Sequence, residues 1–436
     1  MQKGLSDYLG RAFSGTFMVY GAGVALAFAV QVLLTRLLGA AEYGDYYFVL
    51  AWLMALLIVA KFGLDSALLR FVPAYIAQQQ WGMLRGIVRW SARRAALASL
   101  TTAVALALTV SLLPDIGSRL AVTFYLGSAA LPILVYIYLR SALLRSLRHV
   151  VLALLPEAVI APLVLALAIV VYWSWAAPVL TSADAMAATL VGLLVSAAVG
   201  RQLLLRRLPA QLLQTPAQTD ARTWLTSTRS MLLITGAHVL LANTDAIMLG
   251  MLKDPASVGI YAVAAKCAIL VSFPLTIANT TIAPLIPQFH ASDDHAQLQQ
   301  ALDHSMRLVS LAALCAFGVL LLAASPLLSM FGEEFVAGNV ALWILGFSAL
   351  INALAGPVAN LLSLTGSERY VSRVMIGTML LNVTLNLLLI PRWGIEGAAV
   401  ATGLSMMTWN VLMFVASRKR LGLNPNGWIF RPVTGR

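Results

Sequence analysis

The sequence predicts an all-α polytopic membrane protein: twelve transmembrane helices in two six-helix halves, a parallel pseudo-repeat around a central cleft. Three observations predict it. The chain is 60% hydrophobic and 11% charged, with a mean hydropathy of +0.86, whereas soluble domains carry about 25% charged residues. Apolar runs of about twenty residues, the length needed to cross a bilayer, recur along the whole chain. The Lys and Arg residues between those runs fall almost wholly on alternate connections.

In chain order the runs cover residues 13–36, 46–71, 95–113, 119–139, 150–172 and 185–204, then 230–252, 258–285, 308–331, 339–363, 373–390 and 395–416. The sixth has a short uncharged core, Ala185 to Gly200, while the second and eighth are long enough to project beyond the membrane. The first run is not expected to be a cleavable signal, because its charge-free stretch from Arg11 to Thr35 exceeds the about 7–15 residues of a signal core.

Basic residues orient the bundle. Connections on one side hold Arg85, Arg89, Arg93 and Arg94, then Arg140, Arg145 and Arg148, then Arg201, Arg206, Arg207, Arg222 and Arg229. The other side holds Arg36, Arg119, Lys253 and Arg392. Positive charge stays in the cytoplasm, so both termini are expected there. The formal charge of +12 is then topogenic and needs no nucleic-acid partner. Residues 205–229 are rich in Pro and Gln and read as a linker. The expected organisation is an N-terminal lobe, 1–205, a cytoplasmic linker, 206–229, a C-terminal lobe, 230–417, and a cytoplasmic tail, 418–436.

The two lobes repeat each other weakly. Gly44-Asp45-Tyr46 and Gly259-Ile260-Tyr261 open the second and eighth runs, and Phe71-Val72-Pro73-Ala74-Tyr75 and Leu285-Ile286-Pro287-Gln288-Phe289 close them. An even number of spans separates the copies, so they run in the same direction. Parallel repeats of this kind place substrate at the repeat interface in transporters.

The stretch from Leu33 to Tyr75 organises the rest. Its Leu37-Leu38-Gly39, Glu42-Tyr43-Gly44, Phe62-Gly63-Leu64-Asp65 and Arg70-Phe71 resemble the N-terminal signature of bacterial polysaccharide flippases, in the multidrug/oligosaccharidyl-lipid/polysaccharide exporter superfamily. Trp393-Gly394-Ile395-Glu396-Gly397-Ala398 before the last run resembles the same family. The resemblance implies an inner-membrane flippase for O-antigen-type polysaccharide biosynthesis, working by alternating access driven by an ion gradient or the membrane potential. The implied partners are an undecaprenyl-diphosphate-linked glycan, membrane lipids and other polysaccharide-assembly proteins.

Charges inside apolar runs mark candidate sites, because each costs at least about 2.5–3.5 kcal/mol at the bilayer centre. Lys61 and Asp65 are four apart and can pair; Arg70 follows toward the inner boundary. Asp245 and Lys266 lie on two runs joined by a short turn, where a contact between them is expected. Glu157 is isolated in the fifth run. The resemblance places the first, second, seventh and eighth helices on the cleft. Lys61, Arg70 and Lys266 then form a candidate anion-binding set for a diphosphate, with Asp65 and Asp245 as charge partners or ion-coupling groups. Gln31, Asn243 and Asn279 are candidate sugar contacts. Each group also has a structural reading: Lys61–Asp65 as a packing ion pair, Arg70 as a side chain reaching the headgroups, Asp245 and Lys266 as a lock between helices, and the amides as interhelical hydrogen bonds.

What is missing narrows the classes. There is no GxxxxGK[ST] loop for a nucleotide, no HExxH or GxSxG, and no Cys/His cluster around Cys267 or Cys315, so no cofactor, metal or catalytic residue is expected. Short outer connections leave no room for the catalytic domain of a membrane-embedded glycosyltransferase. A major-facilitator transporter would show GxxxDRxGRR between Tyr75 and Arg94, and it does not. A cation-coupled multidrug exporter of the same superfamily is the nearest alternative, disfavoured by three bases against two acids on the cleft helices. Pro274, Pro284 and Pro357 are expected to bend helices around a cavity.

Overall fold

A computed structural model describes residues 2–114, 116–175, 179–209, 211–283, 285–291 and 294–429. Asp115, Pro284 and the last residues of the expected tail lie outside them. Among the described residues all regular structure is helical, as a bilayer requires of a chain whose backbone groups must be satisfied within each segment. Twelve apolar helices take the twelve expected positions. They are α1 (2–38), α2 (40–77, in two pieces), α3 (Trp81–Ser111), α4 (Ser118–Ser146), α5 (Val150–Trp175) and α6 (Ser182–Leu205). There follow α7 (Ala221–Leu252), α8 (Pro255–Ile282), α9 (His295–Ser329), α10 (Asn339–Ala355, continued by Val358–Leu364), α11 (368–393) and α12 (395–421).

At three places a glycine sets the departure from expectation. The expected turn over 37–45 is a break at Gly39 alone, whose φ 75°, ψ 175° suits only a residue without Cβ. Helix resumes at once, so Glu42 and Asp45 lie in the first turns of α2. Glu42 accepts from the Ser182 backbone N–H at 2.7 Å and pairs with Arg119 at 3.3 Å. Gly394 (φ 56°, ψ −124°) likewise separates α11 from α12. Gly356 (φ 80°) divides α10, and a Cβ there would meet the Pro425 carbonyl. In α2 the interruption falls between the candidate charges: Phe62 (φ 47°) and Gly63 (φ 71°) are both left-handed.

Two compact units divide at Val239/Leu240, within α7. In the first, α4 is the most enclosed helix, with Leu131, Val135 and Leu144 buried. Close approach is made by small residues, as expected between membrane helices: a Cβ at Gly127 would meet Val49 of α2. In the expected linker, 206–229, several described residues are docked. Gln218 donates its backbone N–H to the Gly82 carbonyl at 2.9 Å, and Arg85 donates to the Thr215 carbonyl at 2.6 Å. Trp224, fully buried, donates its indole N–H to the Tyr75 hydroxyl at 2.9 Å.

In the second unit Asp254 caps α8, accepting from the Ser257 backbone N–H at 3.0 Å and its hydroxyl at 2.8 Å. These bonds, the hydroxyl first, hold the Asp254 carboxyl below the usual carboxylate range. The expected tail is helical to Leu421, and its next residues lie against the unit. Asn426 donates to the Ser310 hydroxyl at 3.0 Å and the Leu354 carbonyl at 2.8 Å, and Gln299 exchanges two bonds with the Asn424 backbone.

Candidate functional site

In the second unit, buried polarity converges on Asp245. A carboxylate removed from water needs partners for both oxygens. Asp245, 5% exposed, takes them from three other helices' worth of sequence. Tyr261, on the second turn of α8, donates at 2.6 Å. Thr402 of α12 donates at 2.5 Å. Asn386 and Asn382, one turn apart on α11, donate at 2.7 Å and 3.3 Å. Asn386 also donates to the Asn382 amide oxygen at 3.1 Å. Both asparagines are buried, and the Asn386 side-chain oxygen has no partner. An acid ringed by hydroxyls and amides, in no ion pair among the described residues, can hold a proton or a hard monovalent cation and release it again. Among the described residues no group of His, Cys, Asp and Glu forms a transition-metal site.

The expected Asp245–Lys266 contact is not formed; among the described residues no such ion pair exists. The reason is helical phase. Tyr261 faces Asp245, and Lys266 is five residues further on α8, about 140° round the helix. Lys266 is accordingly exposed on the unit's surface.

In the first unit Lys61 and Asp65 pair at 2.7 Å, with Lys61 buried and its ammonium 5.1 Å from the centre of the Tyr138 ring. The pair clasps the two pieces of α2 across the left-handed Phe62–Gly63 link. The expectation of a shared helical face thus gives the right contact by a different route. Arg70 is exposed, its guanidinium over the Phe71 ring at 5.5 Å. Glu157 is not isolated: Arg140 of α4, expected on a cytoplasmic connection, is 2% exposed and donates to it at 2.9 Å. Of the candidate sugar contacts, Gln31 is buried and its side-chain nitrogen has no partner. Asn243 and Asn279 are half-buried, the Asn279 side-chain oxygen without a partner.

Sequence reasoning missed Tyr261, Asn382, Asn386 and Thr402. The one signal was available: Asn382 and Asn386 stand four apart in an otherwise apolar run, so they share a helix face, and two buried amides on one face require a polar partner.

A polysaccharide biosynthesis protein family model matches residues 9–290, and a MatE family model matches residues 231–388. The probable low-salt glycan biosynthesis flippase Agl15 of Haloferax volcanii is 28% identical over 170 residues, 38% of this chain and 36% of that protein. The probable flippase AglR of the same organism is 27% identical over 188 residues, 42% of this chain and 39% of that protein. The chain thus spans well under half the length of either curated relative. Among solved structures, an inward-facing multidrug resistance MATE family transporter superposes with a TM-score of 0.73 at 14% identity, covering 93% of this chain and 94% of that one. The lipid II flippase MurJ in its inward closed conformation gives 0.72 at 11% identity, covering 93% and 87%. At such identities the likeness shows the shared fold.

Proposed function

The chain belongs to the polysaccharide biosynthesis protein family of the multidrug/oligosaccharidyl-lipid/polysaccharide exporter superfamily, and from that premise we propose that it is a flippase for a lipid-linked glycan. It carries an isoprenoid-diphosphate-linked oligosaccharide by alternating access, for cell-surface polysaccharide, across the bacterial inner membrane that its N-terminal signature implies. Lys/Arg asymmetry supports cytoplasmic termini. The observation that carries the reading is the join between the comparisons: a chain whose first two thirds match a polysaccharide family, and whose curated relatives are named as probable flippases, one of them for glycan biosynthesis, folds like MurJ and MATE transporters.

The residues divide the work by chemistry. Lys61, Arg70 and Lys266 are the proposed anion contacts; lysine meets a diphosphate as a point charge and arginine as a planar fork. Asp245, ringed by neutral donors, is the proposed coupling group, exchanging a proton or a monovalent cation with the aqueous phase. Asp65 is the charge partner of Lys61. Gln31 and Asn279, each with a buried atom lacking a partner, are proposed for sugar hydroxyls, together with Asn243.

Reconstitution into liposomes with a labelled lipid-linked oligosaccharide tests this, scoring access from each leaflet. No acceleration over protein-free liposomes for any such lipid sinks the reading. Acceleration of organic-cation efflux alone would assign the chain to multidrug export instead.

A further inference from the structure

The first unit contains a cavity that the transport reading does not use. It occupies about 410 Å³ and is walled by α3 residues from Val88 to Leu100, by Pro132, Tyr136 and Leu139 of α4, and by Leu68 of α2. Almost every wall atom is apolar. Ala92, Ala96 and Leu100 are exposed along its rim, so it opens sideways from the helices. From Val88 to Leu100 the α3 wall runs about 18 Å at 1.5 Å per residue, the length of an acyl chain.

One charged group breaks the apolar lining. Arg140 lines the cavity, its side chain wholly enclosed. Its Nη2 donates to Glu157, but Nε and Nη1 are buried with no hydrogen-bond partner. Burying guanidinium N–H groups without acceptors is costly. The fold holds them there nonetheless: Gly200 of α6 leaves the room they occupy, since a Cβ at that position would collide with the guanidinium. A guanidinium only donates, so the missing partner is an acceptor. The surrounding charge calls for a negative one. Arg145 also bears on Glu157, and Arg201 with Arg140 on Tyr136, which leaves three bases around one acid. Arg140 is six residues from the end of α4, about 9 Å of helix, at the basic end of the unit, within reach of the headgroup layer.

We propose that this cavity is a binding site for a membrane phospholipid with an anionic headgroup, one acyl chain lying along α3 and a headgroup oxygen accepting from Arg140. The occupant is a structural or regulatory lipid, separate from the transported one. Apolar walls exclude a free anion, and the unpartnered guanidinium nitrogens distinguish the site from a merely greasy groove.

The test uses the full chain in mild detergent with palmitoyl-oleoyl phosphatidylglycerol as probe, read by native mass spectrometry and by melting temperature. Wild type should retain one phosphatidylglycerol about tenfold more tightly than phosphatidylcholine or dioleoylglycerol, as a charge-assisted hydrogen bond warrants. It should also melt higher when that lipid is added. Ala96→Trp fills the cavity from its exposed rim and should lose both effects while melting like lipid-free wild type. The pair Arg140→Gln with Glu157→Gln, which removes the charge without stranding a carboxylate, should lose the headgroup preference. Should Ala96→Trp fail to fold, Leu100→Trp blocks the same rim. Equal retention in wild type and the rim variants overturns the proposal, as does equal affinity for the three lipids or full protection by inorganic phosphate alone.

Discussion

Asn386 donates to Asp245 across 2.7 Å, although 141 residues separate them along the chain. The bond ties α11 to α7 inside the second unit. Removing one donor leaves the buried carboxylate short of a partner, so Asn386→Leu should lower stability by about 1–3 kcal/mol, measured by thermal unfolding in detergent. Asp245→Asn deletes the charge and keeps one acceptor oxygen for the Asn382 and Asn386 amides, while the Tyr261 and Thr402 hydroxyls can turn to accept from the new NH2. It should abolish ion dependence of flipping while Glu157→Gln leaves that dependence in place. Unchanged ion dependence in Asp245→Asn removes the coupling role.

The clasp between Lys61 and Asp65 predicts a different pattern. Lys61→Met strands Asp65 in a poorly solvated place and should cost about 3–5 kcal/mol. The double substitution Lys61→Met with Asp65→Leu should recover most of that in a melting assay. Flipping by the recovered protein then decides the role of Lys61. Restored transport makes it structural; stable but inactive protein makes it an anion contact.

The spans were legible in the sequence because a bilayer demands about twenty apolar residues per crossing, and that demand is local. The glycines at 39 and 394 were visible as turns, but not that a single residue would make each break. Lys61–Asp65 was legible because its partners are four apart. Asp245 was legible only as a cost, since its compensation comes from Asn382, Asn386 and Thr402, whose nearness depends on how α7, α11 and α12 pack. Arg140 was misplaced for the same reason: a basic residue near a helix end reads as a loop charge unless Glu157 is known to lie beside it.

Gly39 adopts a backbone conformation open to glycine almost alone. Gly39→Ala should therefore destabilise the protein by about 1–3 kcal/mol. Gly394→Ala should behave alike even though a Cβ there meets nothing within 4 Å. A null effect on melting at Gly394 would mean that the break tolerates a different conformation.

Asp254 offers a check on pH. As the cap of α8 it should contribute about 1 kcal/mol, lost in Asp254→Ala. Its folded carboxyl titrates below the unfolded one, so the contribution is present above about pH 3.9 and disappears as pH falls through the folded value. Wild type and variant should converge in stability in that acid range and differ above it. A constant difference at all pH values would mean that the charge is not what caps the helix.

Lys266 separates binding from packing most cleanly. It is exposed on α8, turned about 140° from Tyr261, and no acid pairs with it among the described residues. Its removal strands nothing, so Lys266→Ala should leave the melting temperature near wild type. An anion contact predicts that flipping nevertheless falls by about tenfold or more, the loss of one charge-assisted contact. Arg70→Lys should retain more activity than Arg70→Ala if charge, not fork geometry, holds the diphosphate. Full activity in Lys266→Ala at normal membrane levels would take Lys266 out of the substrate path and leave α2 as the only proposed cationic helix.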